Sequence, residues 1–558
     1  MTILAQSENF LDISRHIVEK FIQSVVAVDD QMVFDARPMD SSVPDEIIEP
    51  DFNDISTGIG VIPNVQPTYR DLDDNKLYYQ DLSSEFAEKA IICSGLKPFG
   101  EEESTVNAIV KSSKNSDITI LDWQMEKDQD IGRIATKSIK EIINYDIEHK
   151  GRLRLIVIYT AEDKSTVSDK LLKELNEHNP CLENEIKINF SKDELKLCSI
   201  SIISKHTNEK DLSEQVIQLF TELTVGILSN AALASITEVR NQTHNILYKF
   251  NKNLDTAYLS HVLGLISSPD MREQAHEVAI DYAVDLISEE IKSELQTSIH
   301  IKDSLSKKVL KSWPSFVNKE NRSDGFSIKV GETPAVKFGN LRMEELITVE
   351  NETNLKAILT QEPKFHTKKG KTILDFFKDN VIELSINDKD SSNEHLELSA
   401  IECLRRDNRS LTKGHLPVLK QGSILKLNED YYICIQPICD SVRLYHETSF
   451  IFLKVEKVDG VKFSHVIRQG ENEYKKLKLK KASKFIDIIH FNPVETRVVQ
   501  AEKKEENYIF KCSKFKNEYE WCGEFKQPIY QEIVNSVYAN LSRVGFDSFE
   551  WLRLKKPD

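Results

Sequence analysis

Short apolar runs alternate with helical-looking stretches over residues 1 to about 210. Four of the runs are SVVAV, DITIL, LIVIY and SISII, which are rich in β-branched residues and of strand length. Residues 32–80 interrupt this alternation with prolines and acids, so we predict a long surface insertion there. The pattern as a whole is typical of a doubly wound α/β domain built on a parallel sheet.

The pattern changes twice in the rest of the chain. Residues 211–320 contain little proline or glycine and repeat apolar residues at helical spacing, as at Val216 and Phe220, which predicts a helical linker or bundle. Residues 325–515 hold short β-like runs separated by Gly, Asn and Asp, which predict a β-rich α+β output domain. For residues 516–558 we predict a C-terminal helix and tail, with Gly545 where a helix C-terminus needs it.

Long amphipathic helices need a partner for their apolar face. We therefore expect residues 211–315 to bury their apolar positions, and we consider a homodimer formed through this stretch. His244 lies in the same stretch without a neighbouring acid, and we interpret it as an ordinary surface or interface histidine.

Composition and charge narrow the classes of function. The chain has 558 residues, 40% of them hydrophobic, and no run of about eighteen uncharged apolar residues, so we expect a folded cytoplasmic protein of several domains outside the membrane. Its eight cysteines form no CxxC pair, which favours free thiols. The net charge of -17 would repel a phosphate backbone. Nucleic-acid binding stays open only through the basic face of Lys476, Lys478 and Lys480, more simply interpreted as a solvated or edge strand.

Polar residues that carry chemistry follow four of the apolar runs. Asp29 and Asp30 end the first run, Asp122 ends the second, Thr160 the third and Lys205 the fourth. Because ligands bind at the carboxyl ends of strands in an open parallel sheet, we expect these side chains to meet at one edge.

Clustered carboxylates repel one another unless a divalent cation compensates their charge, and Mg²⁺ is the expected ion. A carboxylate of such a cluster can attack phosphorus and form an acyl phosphate. The ammonium of Lys205 and the hydroxyl of Thr160 are suited to stabilise the phosphoryl oxygens.

These residues, in this order and each at the end of an apolar strand, resemble the receiver domain of two-component response regulators over roughly residues 20–210. The resemblance implies a flavodoxin-like, five-stranded parallel sheet. It also implies that Asp122 is the phosphoacceptor, that Asp29 and Asp30 are the acidic metal pair, that Gln124 is a backbone metal ligand, and that Thr160 and Lys205 are the switch hydroxyl and the phosphate-binding lysine.

Two positions depart from the family pattern. His206 replaces the proline that usually follows the lysine, and Ile202 stands where the family commonly places an aromatic switch residue. With its long insertion and large C-terminal region, the chain is similar to the atypical response-receiver proteins of bacteria. That similarity implies phosphorylation by a sensor histidine kinase or an Hsp90-like ATPase kinase, within a phosphorelay or an antiphage defence system.

Two other functions remain open on the residues. One is an enzyme centred on Cys439 and His446, since a thiol near an acid and an imidazole can be a nucleophile. Cys439 can also be interpreted as a buried cysteine at the end of a strand. A third interpretation is a zinc site formed by His446 with Cys434, Cys512 and Cys522. The other is a phosphate-buffering or scaffold protein that only binds partners. We expect no enzymatic activity beyond autophosphorylation and dephosphorylation of the receiver.

Overall fold

The computed structural model describes residues 9–35, 76–98, 100–125, 130–184, 186–205, 207, 209–269, 271–272, 275–360, 372–411, 414–460, 462–470, 472–480 and 482–541. Most of the predicted insertion at 32–80 lies outside these residues, as do His206 and the predicted tail with Gly545. The chain divides into two compact units, Met1–His244 with Ile291–Phe316, and Asn245–Glu290 with Val317–Asp558.

The first unit is built on a seven-stranded sheet. Its strands are β1 Ser24–Val28, β2 Ile92–Leu96, β3 Ile118–Asp122, β4 Arg154–Thr160, β5 Pro180–Asn184, β6 Lys187–Phe190 and β7 Cys198–Ser204. Their order is β2-β1-β3-β4-β7-β6-β5. The first five strands in this order are parallel, whereas β6 and β5 form an antiparallel hairpin beside β7. The sheet is thus mostly parallel, with the strand reversal between β1 and β3 that a flavodoxin-like fold has.

The prediction of five strands is wrong in its count. The extra residues between Thr160 and Lys205 form the hairpin of β5 and β6. The second strand, β2, lacks an apolar run because it lies at the edge of the sheet, where Ile92 and Ser94 are exposed and Cys93 is buried.

Helices cover both faces of this sheet. Alternate residues of β1 belong to two separate cores, Val26 and Val28 to one and Val25 and Ala27 to the other. The first core is completed by α3 Glu102–Ser113, α4 Arg133–Glu148 and α5 Lys164–Glu174, and the second by α1 Phe10–Phe21, α2 Tyr79–Glu88 and α6 Glu209–Thr224. The period-two alternation explains why these strands read as continuous apolar runs: both of their faces are buried.

Helix α6 follows the boundary predicted at residue 210 and packs on the same sheet. Its residues Leu212, Val216, Ile217 and Phe220 are buried in the second core, so this helix packs on the sheet and does not form a free linker. The helical periodicity at residue 211 is the same whether the apolar face of the helix meets a sheet or another helix, so the sequence does not distinguish the two.

Further helices follow α6, in agreement with the predicted helical region. They are α7 Ile227–Asn241, α8 Thr243–Lys249, α9 Asp255–Ser267, α10 Ala275–Thr297, α11 Ile299–Ser304 and α12 Lys307–Val317. Among the described residues no single helix is long and apolar enough to cross a membrane; α6 and α7 pass that test only as a pair bent by 115°.

The expected burial of apolar positions within this region is wrong for α9 and α10. The side chains of Leu259, Leu263 and Ile280 are 56%, 61% and 58% exposed, and Val262 is the buried residue of α9. Helix α9 carries apolar residues around much of its circumference, so packing of one side leaves the others in solvent.

The second unit contains two sheets, as the β-rich prediction implies. A three-stranded sheet has the order β10-β8-β9, with β8 Phe326–Val330, β9 Val336–Phe338 and β10 Ile382–Ile386. Its neighbouring helices in the chain are α13 Asn340–Thr348, α14 Glu352–Thr360, α15 Ile373–Lys378 and α16 Ser392–Cys403.

A ten-stranded antiparallel sheet follows. Its strands are β11 Leu404–Arg406, β12 Ser423–Leu427, β13 Asp430–Cys434, β14 Thr448–Lys457, β15 His465–Gly470, β16 Glu473–Lys478, β17 Ile486–Phe491, β18 Glu502–Lys504, β19 Asn507–Lys511 and β20 Glu518–Phe525. The path is β15-β16-β14-β13-β12-β20-β19-β18, with β11 paired to β20 and β17 to β14. Helix α17, Gln527–Leu541, closes the described chain.

Two expectations for this unit change. The β structure extends past residue 515, because β20 lies inside the range assigned to the C-terminal helix and tail. The lysine-rich strand β16 is paired on both sides, with β15 and β14, so it is not an edge strand. Leu477 is buried beneath it while Lys478 is exposed, which agrees with a solvated basic face.

A buried ion pair fastens β4 to the helices beside it. Arg154 donates from Nε to Asp146 Oδ2 at 2.6 Å and from a terminal nitrogen to Asp146 Oδ1 at 3.0 Å, and also donates to the Ser113 carbonyl at 2.6 Å. Both charged side chains are fully buried. The pair thus joins the start of the strand that ends at Thr160 to α4 and to the end of α3.

Replacement of Asp146 by Ala is expected to lower the free energy of local unfolding around β4 by about 3–5 kcal/mol, because it leaves the Arg154 guanidinium buried without a counter-charge. Hydrogen exchange of β3 and β4 peptides in the full chain measures this. Glu148→Ala, an exposed change at the end of the same helix, should alter protection by less than about 0.5 kcal/mol. Equal protection in the two variants would contradict the role given to the pair.

Candidate functional site

Asp29 and Asp122 lie side by side because their strands are paired neighbours in the sheet. Strand β1 pairs with β3 so that Val28 lies opposite Leu121, and Asp29 and Asp122 are the residues that come next on each strand. Asp30 follows Asp29. One carboxylate oxygen from each of the three acids lies within 4.8 Å of the others.

Lys205 bridges two of these acids. Its Nζ donates to Asp29 Oδ2 at 2.9 Å and to Asp122 Oδ2 at 2.8 Å. The lysine comes directly after β7, and its backbone N–H donates to the Thr160 carbonyl at 2.8 Å, which fixes it beside the end of β4. The side chains of Lys205, Asp29 and Asp122 are only 6%, 1% and 2% exposed, so this is a desolvated charge cluster.

The second carboxylate oxygen of Asp29 and that of Asp122 each accept a hydrogen bond from the backbone N–H two residues later in the chain. Asp29 Oδ1 accepts from the Gln31 N–H at 2.7 Å, and Asp122 Oδ1 accepts from the Gln124 N–H at 3.2 Å. Thr160 repeats the pattern, since its Oγ1 accepts from the Glu162 N–H at 3.0 Å. Such local bonds turn each chain away from its strand and orient the functional oxygens.

Burial dominates the electrostatics of the acids. It raises the pKa of Asp122 to about 8, with the Asp29 charge adding to the effect and Lys205 opposing it. Burial raises the pKa of Asp29 as well, again against the effect of Lys205. Burial alone would lower the pKa of Lys205, but the charges of Asp29 and Asp122 outweigh it and raise that pKa. With all three acids ionised, a metal-free site would carry more negative charge than one ammonium compensates, and the raised pKa values express this cost.

This donor set fits a hard divalent cation. Asp29, Asp30 and Asp122 form the one group of three or more potential metal-ligating side chains within the described ranges, and all three offer carboxylate oxygen. Carboxylate oxygens with room for water are the ligands that Mg²⁺ prefers. Gln124, with an exposed side chain, follows the acids closely enough that its backbone is part of the same turn.

Thr160 is buried at the end of β4, between the strand of Asp122 and the strand that leads to Lys205. The structure thus brings Asp29, Asp30, Asp122, Thr160 and Lys205 to one edge of the sheet. Ile202 is buried in the first core, so no aromatic ring occupies that position of β7.

Tyr159 is a residue that the sequence reasoning missed. Its ring is 3% exposed, and its hydroxyl donates to the carbonyl of Lys205 at 3.2 Å and lies 2.8 Å from that of Thr207. The Lys205 Nζ lies 5.9 Å from the ring centroid. In the sequence, the one indication of these contacts is the polar hydroxyl of a tyrosine inside the apolar run RLIVIYT.

Trp123, directly after Asp122, makes a second contact that the sequence did not predict. Trp123 is 2% exposed, and a Cβ on Gly132 would lie 2.2 Å from its indole ring. Gly132 also has a φ of +81°, so both space and backbone require glycine there. Lys170 holds the same turn through the Ile131 carbonyl at 2.5 Å and the Asp130 carboxylate at 2.9 Å.

The alternative site at Cys439 and His446 gains little support. Cys439 is exposed, not buried as a strand-end cysteine would be, and its Sγ lies 3.4 Å from Asp440 Oδ1. His446 is also exposed, and within the described chain no hydrogen bond joins it to the thiol. Cys434, Cys512 and Cys522 are buried and, over the ranges described, form no metal-ligating group with His446.

The raised pKa of Asp122 predicts the pH dependence of stability in magnesium-free buffer. The carboxyl of Asp122 binds a proton more tightly in the folded chain, with a pKa of about 8, than in the unfolded chain, where the pKa has the ordinary value of 3.8. The stability that this proton contributes is therefore complete below pH 3.8 and is lost as the pH rises through about 8. The raised pKa of Lys205 acts only above 10.5, outside this window. The thermal midpoint of Asp122→Asn should therefore fall less than that of wild type between pH 5 and 8; parallel curves would contradict the shift.

Comparison with protein-family models matches residues 21–210 to the response receiver domain. The match spans the strands that carry Asp29, Asp122, Thr160 and Lys205. Comparison with curated proteins and with solved structures gave no match.

Proposed function

Residues 21–210 form a response receiver domain, and we propose that it works as a phosphoaspartyl switch in which Asp122 accepts a phosphoryl group from a partner kinase. The observation that carries the proposal is the convergence of Asp29 and Asp122 on the Lys205 ammonium at a desolvated sheet edge. An isolated acid after a strand would be an ordinary loop residue. Two buried carboxylates that share one lysine carry excess negative charge, and this charge has to be compensated when one of them reacts.

Receiver domains bind Mg²⁺ at an acidic pocket, and Asp29, Asp30 and Asp122 are the residues that would hold it here, with the Gln124 carbonyl as a backbone ligand. When bound, the ion offsets the negative charge of the carboxylates and of an incoming phosphodonor. Asp122 has to be ionised to act as a nucleophile, so its raised pKa makes compensation of charge a condition for reactivity.

Phosphoryl transfer then uses the residues as follows. An Asp122 carboxylate oxygen forms a bond to phosphorus, and the bond between phosphorus and the donor's leaving atom breaks, with its electron pair going to the donor. Lys205, which now contacts Asp29 and Asp122, can keep its place and neutralise the new phosphoryl oxygens. The Thr160 hydroxyl has its oxygen occupied by the Glu162 N–H and keeps its own hydrogen to donate.

The signal leaves through the residues behind Thr160 and Lys205. Drawing the Thr160 hydroxyl toward the phosphoryl group moves Ala161, Glu162 and Asp163, which lead into α5. Tyr159 adds a second route, because its hydroxyl contacts the carbonyls of Lys205 and Thr207, just before α6. The two routes do not need an aromatic residue at Ile202.

Receiver domains are phosphorylated by sensor histidine kinases, and we assign this chain a partner of that kind or an Hsp90-like ATPase kinase. The β-rich region from residue 325 is the proposed output, and the cytoplasm, in a phosphorelay or in antiphage defence, is the proposed setting. No contact in the described residues favours a cysteine-dependent enzyme over this assignment.

Incubation with acetyl phosphate and Mg²⁺ should add one phosphoryl group to the wild-type chain and none to Asp122→Asn, as measured by intact mass. Omitting the metal should abolish the addition, because the Lys205 ammonium alone does not offset the charges of the carboxylates and of the donor together. Asp169→Asn, an exposed acid on α5, is the matched control and should be phosphorylated like wild type. Equal labelling of Asp122→Asn would reject Asp122 as the acceptor.

Thr160→Ala and Lys205→Ala should leave phosphorylation of Asp122 largely intact while uncoupling the output, and Tyr159→Phe, which removes only the hydroxyl, should weaken transmission to α6. Hydrogen exchange with and without a phosphate mimic measures this over residues 160–175 and 211–240. Unchanged protection of both segments in wild type would mean that the receiver stores phosphate without transmitting a signal.

We also propose that the exposed apolar faces of α9 and α10 are covered by a second copy of the chain. Leu259 and Leu263 on α9 and Ile280, Val284 and Ile287 on α10 follow the spacing of helix-to-helix contacts and are all exposed.

Light scattering after size exclusion should give a dimer for wild type. Leu259→Lys with Ile280→Lys should give a monomer, because two charges would then lie in an apolar interface. Leu341→Lys, at a more exposed leucine on α13, should leave the dimer intact. A monomeric wild type at micromolar concentration would refute the assignment.

A further inference from the structure

A basic cavity of about 350 Å³ lies in the second unit, and none of its lining residues belongs to the proposed phosphoacceptor site. It is lined at the end of α16, along β11, on β15 and just before α17. Five of its lining side chains are cationic: Arg405, Arg406, Arg409, Arg468 and Lys526. A single carboxylate, Asp407, lines it with them, in a chain whose net charge is -17.

The fold holds these cations together at close range. Strand β11 pairs with β20, where Gly523 leaves room for the Arg406 carbonyl, since a Cβ at that position would lie 2.8 Å from it. Arg405 lies 3.3 Å from the buried Glu524 carboxylate, which anchors one end of the run. Asp407 Oδ1 accepts from the N–H groups of Arg409 and Ser410, so this carboxylate is used in part to shape its own loop.

Arg468 is only loosely satisfied. Its terminal nitrogens lie 3.5 Å from Asp407 Oδ2 and 3.4 Å from Glu397 Oε1, at the limit of hydrogen bonding. Its Nε is buried and has no hydrogen-bond partner in the described part of the chain. A buried guanidinium N–H without an acceptor is unfavourable, which points to an acceptor that the described part of the chain does not supply.

The positive potential also reaches a neighbouring histidine. His415 Nε2 lies 3.4 Å from an Arg406 nitrogen. Burial lowers the pKa of His415, and the charges of Arg406 and Lys420 lower it further. The histidine is thereby kept neutral beside the arginines, so it can accept a hydrogen bond without adding repulsion to the cluster.

Apart from Ser410, the remaining lining is apolar. Ala400, Ile401 and Leu404 contribute it, and Ile401 is 54% exposed in spite of its size. The cavity therefore joins planar donor groups, which match phosphate oxygens in pairs, to an apolar surface that suits a flat ring. Its volume lies within the range of small-molecule sites.

We propose that this cavity binds a nucleotide with two or more phosphate groups. The arginines contact the phosphates, and Ile401 with Leu404 packs against the base. A free nucleotide is favoured over nucleic acid because the excess negative charge of the chain opposes a long polyanion, whereas a small anion fits within the basic lining. The site is independent of Asp122 and of the receiver's function.

Isothermal titration of the full chain with ATP in magnesium-free buffer tests the proposal. Binding should weaken about tenfold or more in Arg406→Gln with Arg409→Gln, which removes charge-assisted contacts to phosphate. The control, Lys478→Gln with Lys503→Gln, removes two exposed charges of the same unit that do not line the cavity, and should change affinity less than about twofold. Arg406→Lys with Arg409→Lys, which keeps the charge and lowers the risk of misfolding, should give intermediate affinity.

Two further probes identify the ligand class. Inorganic triphosphate should bind more weakly than ATP, and Ile401→Gln should weaken ATP without affecting inorganic triphosphate. Equal affinity for both probes would overturn the role of the base. Tighter binding of a single-stranded oligonucleotide, lost in the same arginine variant, would make the cavity a nucleic-acid surface instead. No binding of ATP at millimolar concentration, or equal binding by the arginine variant and the control, would reject the site.

Discussion

The Lys205 ammonium between Asp29 and Asp122 is the contact on which the first unit is organised. At this desolvated edge of the sheet, two carboxylates and one ammonium are stable only if each is held in good hydrogen-bonding geometry, because water cannot solvate a misplaced buried charge. That geometry needs three strands in fixed register and a turn after each of them. The sheet, the covering helices and the backbone N–H groups of Gln31 and Gln124 all serve this requirement.

The sequence predicts this edge well because its signal is local. Each functional residue follows an apolar run, and parallel strands deliver their carboxyl ends to the same side. The pattern alone therefore assigns five residues to one edge of the sheet: Asp29, Asp30, Asp122, Thr160 and Lys205. What the pattern does not contain is the partner of a side chain: the hydroxyl of Tyr159 is hidden inside a hydrophobic strand, and its contacts with Lys205 and Thr207 exist only in three dimensions.

The features that the sequence pattern leaves undetermined share a related cause. Strand β2 lies at an edge with alternating exposure, so Ile92 and Cys93 do not read as a buried run. Helix α6 has the periodicity of any amphipathic helix, and nothing in Leu212 or Val216 says whether a sheet or another helix lies beneath. The second unit is harder still, because short antiparallel strands can pair in many orders, and the basic cavity on β11 and β15 forms only once distant segments meet.

The hairpin of β6 and β5 changes the mechanics of the strand that leads to Lys205. Because β6 pairs with β7 at Ile188 and Lys187, β7 is an interior strand with ladders on both sides. In a five-stranded sheet, β7 would be an edge strand. Sliding β7 along its axis would shear both ladders at once. The base of Lys205 is therefore a stiff anchor, whereas the turn after β4, where the Glu162 N–H donates to Thr160 Oγ1, lies beyond the end of the ladder between β4 and β7.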